Sequence, residues 1–213
     1  MGTIVRHGMV FALTYLVGAF PTGYLMVRLF TGHDVRRVGS GRTGGTNVLR
    51  TAGPVPAILT VLGDGLKGGL AVLLARIIGG LPLSLAIAGV AAILGHNYSV
   101  FLGWDGGAGT ITSIGVALFI YPPAGAAAIV VGAAVLALSR YASLASIAVA
   151  LALPALFMAG AHWGGLPWVF PLYAAAAGLI SINELRPNIG RLLAGTERKV
   201  GYPRSGVTFT VRN

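Results

Sequence analysis

Residues 38–47 read VGSGRTGGTN and combine residue types that hold phosphate groups. Gly39, Gly41 and Gly44 have the spacing of a dinucleotide fingerprint, whereas a phosphate loop would need lysine where Gly45 stands. A dinucleotide site also needs a preceding strand, and here apolar helical runs lie on both sides, so we reject both nucleotide motifs. Glycines still let backbone amides approach an anion closely. We therefore expect an anion-binding segment, and a flexible basic loop facing lipid headgroups is the alternative.

Donor side chains surround these glycines. Hydroxyl and amide groups supply neutral hydrogen bonds, and guanidinium groups supply the charge-assisted bonds that suit a phosphate. The residues concerned are Ser40, Arg42, Thr43, Thr46, Asn47 and Arg50.

A second candidate segment, GDGLKGG, carries two ionisable residues within an apolar run. Asp64 and Lys67 are three residues apart and can pair on one face of a helix. Ionisable residues inside membrane segments are costly, and they usually serve a function. A functional pair is favoured, and an ion pair that only orients its helix is the alternative.

A third candidate segment, GHNYSVFLGWDGGAGT, begins where an apolar helix ends. His96 and Asn97 close that helix, and Gly106, Gly107 and Gly109 then lead into the next one, where they can expose backbone donors. His96 is either a catalyst or a hydrogen-bonded structural residue. No cluster of acids and histidines has metal-ligand spacing, so we expect no metal site.

The composition indicates a membrane protein. Hydrophobic residues make up 55% of the 213 residues, charged residues only 9%, and the mean hydropathy is +0.83. Runs long enough to cross or enter a bilayer predict an all-α polytopic bundle forming one domain over residues 1–213. The predicted spans are 8–30, 54–79, 82–102, 108–121, 123–139, 143–161 and 166–183. Six spans remain an alternative, because only Tyr121 to Pro123 divides the fourth from the fifth.

The net charge of +10 is distributed unevenly between the two faces of this bundle. The excess of positive charge on one face predicts an outer N-terminus, a cytoplasmic C-terminus and no nucleic-acid partner. The three candidate segments then meet at the cytoplasmic surface, followed by a basic cytoplasmic tail, 198–213, to which we assign no role. The basic face carries Arg28, Arg36, Arg37, Arg42, Arg50, Arg140, Arg186, Arg191, Arg198, Lys199, Arg204 and Arg212.

The segments GSGRTGGTNVLR, GDGLKGG and GHNYSVFLGWDGGAGT, in this order and spacing, resemble the three cytoplasmic motifs of the bacterial acyl-phosphate:glycerol-3-phosphate acyltransferase family. The resemblance extends from LVGAFPTGYL in the first span to RPNIGRLLAG near the end. It implies a seven-span enzyme of the bacterial inner membrane, surrounded by membrane lipids. It also implies transfer of a fatty acyl group from acyl phosphate to the 1-hydroxyl of sn-glycerol 3-phosphate, giving lysophosphatidic acid without a metal, cofactor or acyl-CoA.

Residue roles follow from the same resemblance. We expect electrostatic stabilisation from Arg50, Lys67 and the glycine-loop amides, and orientation of substrate by Ser40 and Asn47. The candidate catalytic residues are Ser40, Arg50, Lys67 and His96. The candidate substrate-binding residues are Gly41, Arg42, Thr46, Asn47, Asp64, Asn97, Gly106, Gly107, Gly109 and Asn188.

Three positions depart from the family pattern. Arg42 stands where the family has asparagine, Ala108 where it has lysine and Leu185 where it has histidine. Two losses of positive charge or donors could weaken phosphate binding, and we hypothesise that Arg42 restores one cation. A divergent paralogue with weak or no activity, or with another substrate, is the alternative.

The expected reaction needs no enzyme nucleophile, because an acyl phosphate is already activated. Positioning and charge neutralisation suffice for direct attack by the glycerol hydroxyl. The proton can leave through a substrate phosphate or through His96, and the sequence does not choose. Another acyltransferase signature, histidine followed after four residues by aspartate, is absent because Phe101 occupies that position.

Two further expectations concern the remaining helices. Their small residues permit close packing and favour an acyl groove, with plain bundle packing as the alternative. An organic-phosphate transporter is disfavoured because no internal repeat is visible and the motifs gather at one surface rather than at the midplane. The sequence leaves the oligomeric state open, and a monomer is compatible with it.

Overall fold

The apolar runs of the sequence form α-helices in the computed structural model, which describes residues 2–201. Short 3-10 turns lie at Val35–Arg37 and Val100–Leu102. The helices, α1 to α10 in chain order, are Thr3–Ala19, Thr22–Thr31, Gly45–Ala52, Pro54–Ile78, Pro82–Asn97, Thr110–Ile120, Pro122–Ser139, Ala142–Trp163, Val169–Glu184 and Arg186–Leu193.

The described helices confirm the prediction of an all-helical membrane architecture. Five segments are long and apolar enough to cross a bilayer: 3–31, 54–78, 82–102, 122–139 and 142–163. Two shorter apolar helices, α6 and α9, coincide with the fourth and seventh predicted spans. The count of seven crossings and the orientation of the termini stay predictions.

The first predicted span is not one continuous helix, which corrects the expectation for residues 8–30. Its helices α1 and α2 are separated at Phe20 and Pro21, because proline has no amide hydrogen to continue a helix. The break frees backbone carbonyls within the apolar layer. Ala19 O accepts a hydrogen bond from Ser99 Oγ at 2.6 Å, and Phe20 O accepts one from Lys67 Nζ at 3.1 Å.

Two short helices, α3 and α10, were not predicted. The segment 38–50 was expected to be a loop, but its second half is helical from Gly45 onward. Each of these helices has eight residues and a strongly amphipathic pattern, so neither produces an apolar run. Both carry candidate site residues, Arg50 on α3 and Asn188 on α10.

Small residues set the helix crossings. Helix α1 packs on α5, and α4 packs on α6. A Cβ on Gly18 would lie 2.1 Å from Ala92 O, and one on Gly115 would lie 2.0 Å from Gly65 O. Such backbone-to-backbone contact needs glycine and is typical of membrane helix pairs. The α4–α6 contact holds Asp64 of α4 beside the beginning of α6.

Candidate active site

A polar cavity of about 130 Å³ lies where α3, α4, α6, α8 and α10 come together. It brings residues from all three candidate segments to one place. Its lining residues are Ser40, Arg42, Gly44, Gly45, Thr46, Asn47, Arg50, Asp64, His96, Ala108, Gly109, Thr110, Ile111, Ala142, Ser143, Ser146, Leu185, Asn188, Glu197 and Arg198.

The loop before α3 is organised by the buried amide of Asn47. Its Oδ1 accepts the amide hydrogen of Ser40 at 3.0 Å, and its Nδ2 donates to Val38 O at 3.0 Å and to Arg42 O at 2.9 Å. A Cβ on Gly39, whose φ is +63°, would lie 2.2 Å from Asn47 Oδ1. Asn47 therefore fixes the backbone that presents Ser40 and Arg42 to the cavity.

Two helix N-termini open onto this cavity. Helix α3 begins at Gly45 and α6 begins at Thr110, and residues of both first turns line the wall. Amides in the first turn of a helix lack intrahelical acceptors and carry partial positive charge. The two ends together form a favourable environment for an anion.

Guanidinium groups add full positive charge. Arg42 donates to the carbonyl of Glu184, and Arg50 Nη2 donates to the carbonyls of Arg198 and Lys199 at 3.2 and 3.3 Å. Burial lowers the pKa of Arg42 and of Arg50 from its usual value, yet a guanidinium stays protonated at neutral pH. Both cations are thus present in the cavity wall.

A buried ionic cluster forms the floor. Lys67 Nζ lies 2.9 Å from Asp64 Oδ1, and His96 Nδ1 lies 3.6 Å from the same oxygen. Their side chains are only 4 to 7% exposed. Asp64 and His96 line the cavity, but Lys67 does not, because its ammonium group turns to Asp64 and Phe20 O.

The glycine loop after α5 packs against the end of that helix. Gly107 N donates to His96 O at 3.0 Å, and Thr43 N donates to Gly106 O at 3.2 Å. A Cβ on Gly107 would lie 2.1 Å from His96 Nε2, and one on Gly106 would lie 2.2 Å from His96 O. These glycines join the first and third segments, whereas Gly109 lines the cavity itself.

Most, but not all, of the predicted site residues reach the cavity. Gly41, Lys67, Asn97, Gly106 and Gly107 are not among its lining residues. Asn97 is 2% exposed, and neither its Oδ1 nor its Nδ2 has a hydrogen-bond partner within residues 2–201. The substrate contacts expected of these five residues stay predictions.

Several cavity residues were missed by the sequence reasoning. Thr110, Ser143 and Ser146 are ordinary hydroxyl residues at or near the starts of apolar helices, and nothing in their spacing distinguishes them. Glu197 and Arg198 lie in or beside the segment to which no role was assigned. The rarity of acidic residues could have pointed to Glu197, since it is one of only five in the chain.

Glu197 is tightly hydrogen-bonded. Its Oε1 accepts from Asn188 Nδ2 at 2.9 Å and from Ser143 Oγ at 3.2 Å, and its Oε2 accepts from Arg191 Nε at 2.6 Å. Burial opposes ionisation, but the bonds from Asn188 and Arg191 hold the pKa of Glu197 below its ordinary value. The side chain is therefore a carboxylate at neutral pH.

An apolar groove of about 770 Å³ adjoins the polar cavity. Helices α4, α6, α7 and α8 form its walls, which include Leu62, Ile114, Phe119, Ala133 and Val149. The two spaces adjoin, because they share the lining residues Gly45, Thr46, Thr110, Ile111, Ala142 and Ser146.

The three departures from the family pattern all line the polar cavity. Arg42 enters from the loop before α3, Ala108 precedes α6, and Leu185 precedes α10. Within residues 2–201, no group of three or more His, Cys, Asp and Glu side chains is arranged to hold a metal ion.

Known proteins match this chain in both sequence and structure. The family model described as "Glycerol-3-phosphate acyltransferase" matches residues 8–195. The chain belongs to the glycerol-3-phosphate acyltransferase family. This membership confirms the resemblance seen in the three segments.

Similar proteins match nearly the whole chain. Glycerol-3-phosphate acyltransferase 2 of Moorella thermoacetica is 43% identical over 189 residues, covering 89% of this chain and 95% of its own. Glycerol-3-phosphate acyltransferase of Desulforudis audaxviator is 44% identical over 194 residues, covering 91% and 96%.

Solved structures give the same picture. A crystal structure of PlsY (YgiH), an integral membrane glycerol 3-phosphate acyltransferase in its glycerol 3-phosphate form, superposes with a TM-score of 0.84. It is 33% identical, and the match covers 92% of this chain and 96% of that one. The lysophosphatidic acid form superposes with a TM-score of 0.82 at 31% identity, covering 92% and 95%.

Proposed function

We propose that this protein transfers a fatty acyl group from acyl phosphate to the 1-hydroxyl of sn-glycerol 3-phosphate and releases lysophosphatidic acid. The cavity faces the cytoplasm at the bacterial inner membrane in this proposal. The names of its relatives and the two ligand forms of PlsY support glycerol 3-phosphate as acceptor.

The observation that carries the proposal is that the polar cavity and the apolar groove adjoin and share six lining residues. One space offers guanidinium groups and helix N-termini to phosphates, and the other offers alkyl side chains to a fatty chain. A substrate with an anionic head and a long tail fits both at once. The junction, at Thr110, Ile111 and Ser146, then lies where the acyl carbon must be.

Phosphate recognition is assigned to the cationic wall. Arg50 and Arg42 balance the charge of the two head groups, and the amides at the starts of α3 and α6 donate to phosphate oxygens. Ser40 contributes a neutral donor. Asn47 holds the loop in shape, because both atoms of its amide are occupied by the loop backbone.

The chemical step is a direct displacement. The glycerol oxygen attacks the acyl carbonyl carbon and forms the ester bond, while the bond from that carbon to the phosphate oxygen breaks. The hydroxyl proton leaves with the departing inorganic phosphate. No acyl-enzyme forms, because the glycerol oxygen attacks the acyl carbon directly. Preorganised donors stabilise the charge that develops on the leaving oxygen.

His96 acts as a positioning residue in this scheme. Its Nδ1 faces Asp64 at 3.6 Å, and its Nε2 lies against Gly107. We assign the proton to a substrate phosphate, which brings its own acceptor oxygens to the reacting hydroxyl. The Asp64 and Lys67 pair supports the ring from below.

A reconstituted assay with purified protein tests the proposal. Acyl phosphate and glycerol 3-phosphate should give lysophosphatidic acid and inorganic phosphate in equal amounts, and acyl-CoA should not replace acyl phosphate. Turnover confined to acyl-CoA would refute the donor assignment. Ligand binding without product would indicate a non-catalytic paralogue, and phosphate movement across vesicles without ester formation would indicate a transporter.

A further inference from the structure

The segment after α10 returns across the polar cavity. We call residues 197–200 the strap. Glu197 and Arg198 line the cavity. Val200 makes two hydrogen bonds with Arg140 at the end of α7: Val200 N donates to Arg140 O at 2.7 Å, and Arg140 Nη2 donates to Val200 O at 3.3 Å. Lys199 Nζ lies 5.7 Å from the centre of the Tyr141 ring. The strap is therefore anchored at its far end, outside the cavity.

The strap occupies donors that a substrate phosphate would use. Its Glu197 carboxylate takes hydrogen bonds from Asn188 and Arg191 of α10 and from Ser143 of α8. Its carbonyls at Arg198 and Lys199 take Arg50 Nη2. Asn188 and Arg50 are two of the residues assigned to substrate. Three strap residues contact them: Glu197 accepts from Asn188, and the carbonyls of Arg198 and Lys199 accept from Arg50.

Charge makes this arrangement unusual. Arg42, Arg50 and Arg198 line the cavity, and Glu197 supplies a carboxylate that is only 7% exposed. A carboxylate fixed in a phosphate site repels a second anion, and it satisfies hydrogen-bond donors, among them the buried hydroxyl of Ser143. Both effects are those of a bound ligand.

We propose that the strap is an internal ligand of the substrate site, which glycerol 3-phosphate displaces from Asn188, Arg191 and Arg50. The inference rests on the proposed function for the identity of that ligand. Phosphate binding and strap binding exclude each other, so the apparent affinity for substrate is reduced by the fraction of molecules in which the strap is seated.

Glu197→Gln tests the competition, because it removes the charge and keeps the size of the side chain. The dissociation constant of glycerol 3-phosphate, measured by calorimetry in detergent, should fall about tenfold, the scale of about 1.4 kcal/mol. Asp105→Asn is the matched control: its carboxylate is 63% exposed and lies 3.7 Å from Arg36, and neither residue is among those that line the cavity. It should change the constant less than about twofold, since long-range charge effects are screened. Unchanged or weaker binding to the Glu197→Gln protein would overturn the proposal.

A spectroscopic measurement keeps the proposal testable if Glu197→Gln does not fold. The chain contains no cysteine, so a nitroxide can be attached at Lys199→Cys alone, within the strap and at the residue whose backbone carbonyl accepts from Arg50. The label should become more mobile when glycerol 3-phosphate is added, because the strap then leaves Arg50. Mobility that does not change at saturating glycerol 3-phosphate would overturn the displacement.

Calorimetry also separates this inference from the proposed function. If wild-type protein makes no ester but glycerol 3-phosphate binds more tightly to Glu197→Gln, the catalytic assignment fails and the strap proposal stands. If wild-type protein forms the ester and Glu197→Gln does not raise the affinity for glycerol 3-phosphate, the catalytic assignment stands and the strap proposal fails.

Discussion

Arg50 is the residue on which the proposed phosphate site depends most. It comes from the last turn of α3, it lines the cavity, and its guanidinium already binds two oxygen acceptors in the substrate-free protein. A guanidinium can also donate two parallel hydrogen bonds to a phosphate. Sequence reasoning identified it by its type and position, but not the strap carbonyls it contacts, because these lie about 150 residues along the chain.

Replacing Arg50 with alanine should lower kcat/KM by about 100-fold or more, the range seen when a preorganised charge-stabilising donor is lost. The reconstituted acyl transfer assay measures this. Arg76→Ala is a suitable control, because Arg76 lies in the last turn of α4, donates to Phe119 O and does not line the cavity. Equal activity of wild type and Arg50→Ala would contradict the assignment.

Variants at Arg42 and Ala108 test whether Arg42 replaces the lysine that the family has at position 108. Both line the same cavity, so a lysine at position 108 could reach the space that Arg42 serves. We expect Ala108→Lys to raise kcat/KM less than about threefold with Arg42 present, and to recover most of the activity lost in Arg42→Asn. A double-mutant cycle measures this coupling. A large gain from Ala108→Lys alone would show that Arg42 does not compensate.

At the scale of elements, the site depends on helix ends and breaks rather than on helix middles. The long apolar helices were predictable because each buries a continuous apolar run. Helices α3 and α10 were not, since eight amphipathic residues give no such run and are stabilised by tertiary packing. Pro21 is visible in the sequence, but the sequence does not show that the helix break there frees the carbonyl of Phe20 to accept a hydrogen bond from Lys67.

The Asp64 and Lys67 pair joins α4 to this break and should behave as one unit. Removing either partner leaves an unpaired buried charge, so Asp64→Asn or Lys67→Met should each lower the free energy of unfolding by about 3 to 5 kcal/mol. The double variant should lose less than either single one. Thermal melting in detergent gives the order of stability. Losses that simply add would argue that the two charges are independent.

The groove between α4, α6, α7 and α8 should control acyl-chain length. Ala133→Phe fills it, so activity with a long-chain acyl phosphate should fall about tenfold or more, whereas a short-chain donor should be affected much less. Val130→Phe on the same helix is the control, because Val130 is 67% exposed and is not among the groove residues. An equal loss with both chain lengths would argue against the groove as the acyl site.

At the scale of the whole molecule, hydropathy and charge asymmetry were enough to predict a helical membrane bundle, and the three motifs were enough to predict the family. Neither source predicted that the chain end returns to the cavity, because Glu197 acts through contacts with α8 and α10 that no local pattern records. Of the predicted tail of 198–213, Arg198 lines the cavity, Lys199 and Val200 contact Tyr141 and Arg140, and residues 202–213 lie outside the described range.

The orientation in the membrane can be tested with single cysteines, since the chain has none of its own. Positive charge on one face predicts an outer N-terminus and a cytoplasmic C-terminus. A cysteine replacing Val5, which is 62% exposed, should react with an impermeant maleimide in spheroplasts, and one replacing Leu193, which is 85% exposed, should react only after lysis. The opposite pattern would invert the predicted topology.

The central claim is that phosphate groups bind in the polar cavity while the fatty chain lies in the adjoining groove. A structure of the protein with glycerol 3-phosphate and a non-reactive acyl phosphonate tests it most directly. We predict that the phosphorus atoms lie within reach of Ser40, Arg50 and the start of α6, that the alkyl chain lies between α6 and α7, and that the strap is released. An alkyl chain outside the groove, or phosphate groups remote from Arg50, would contradict it.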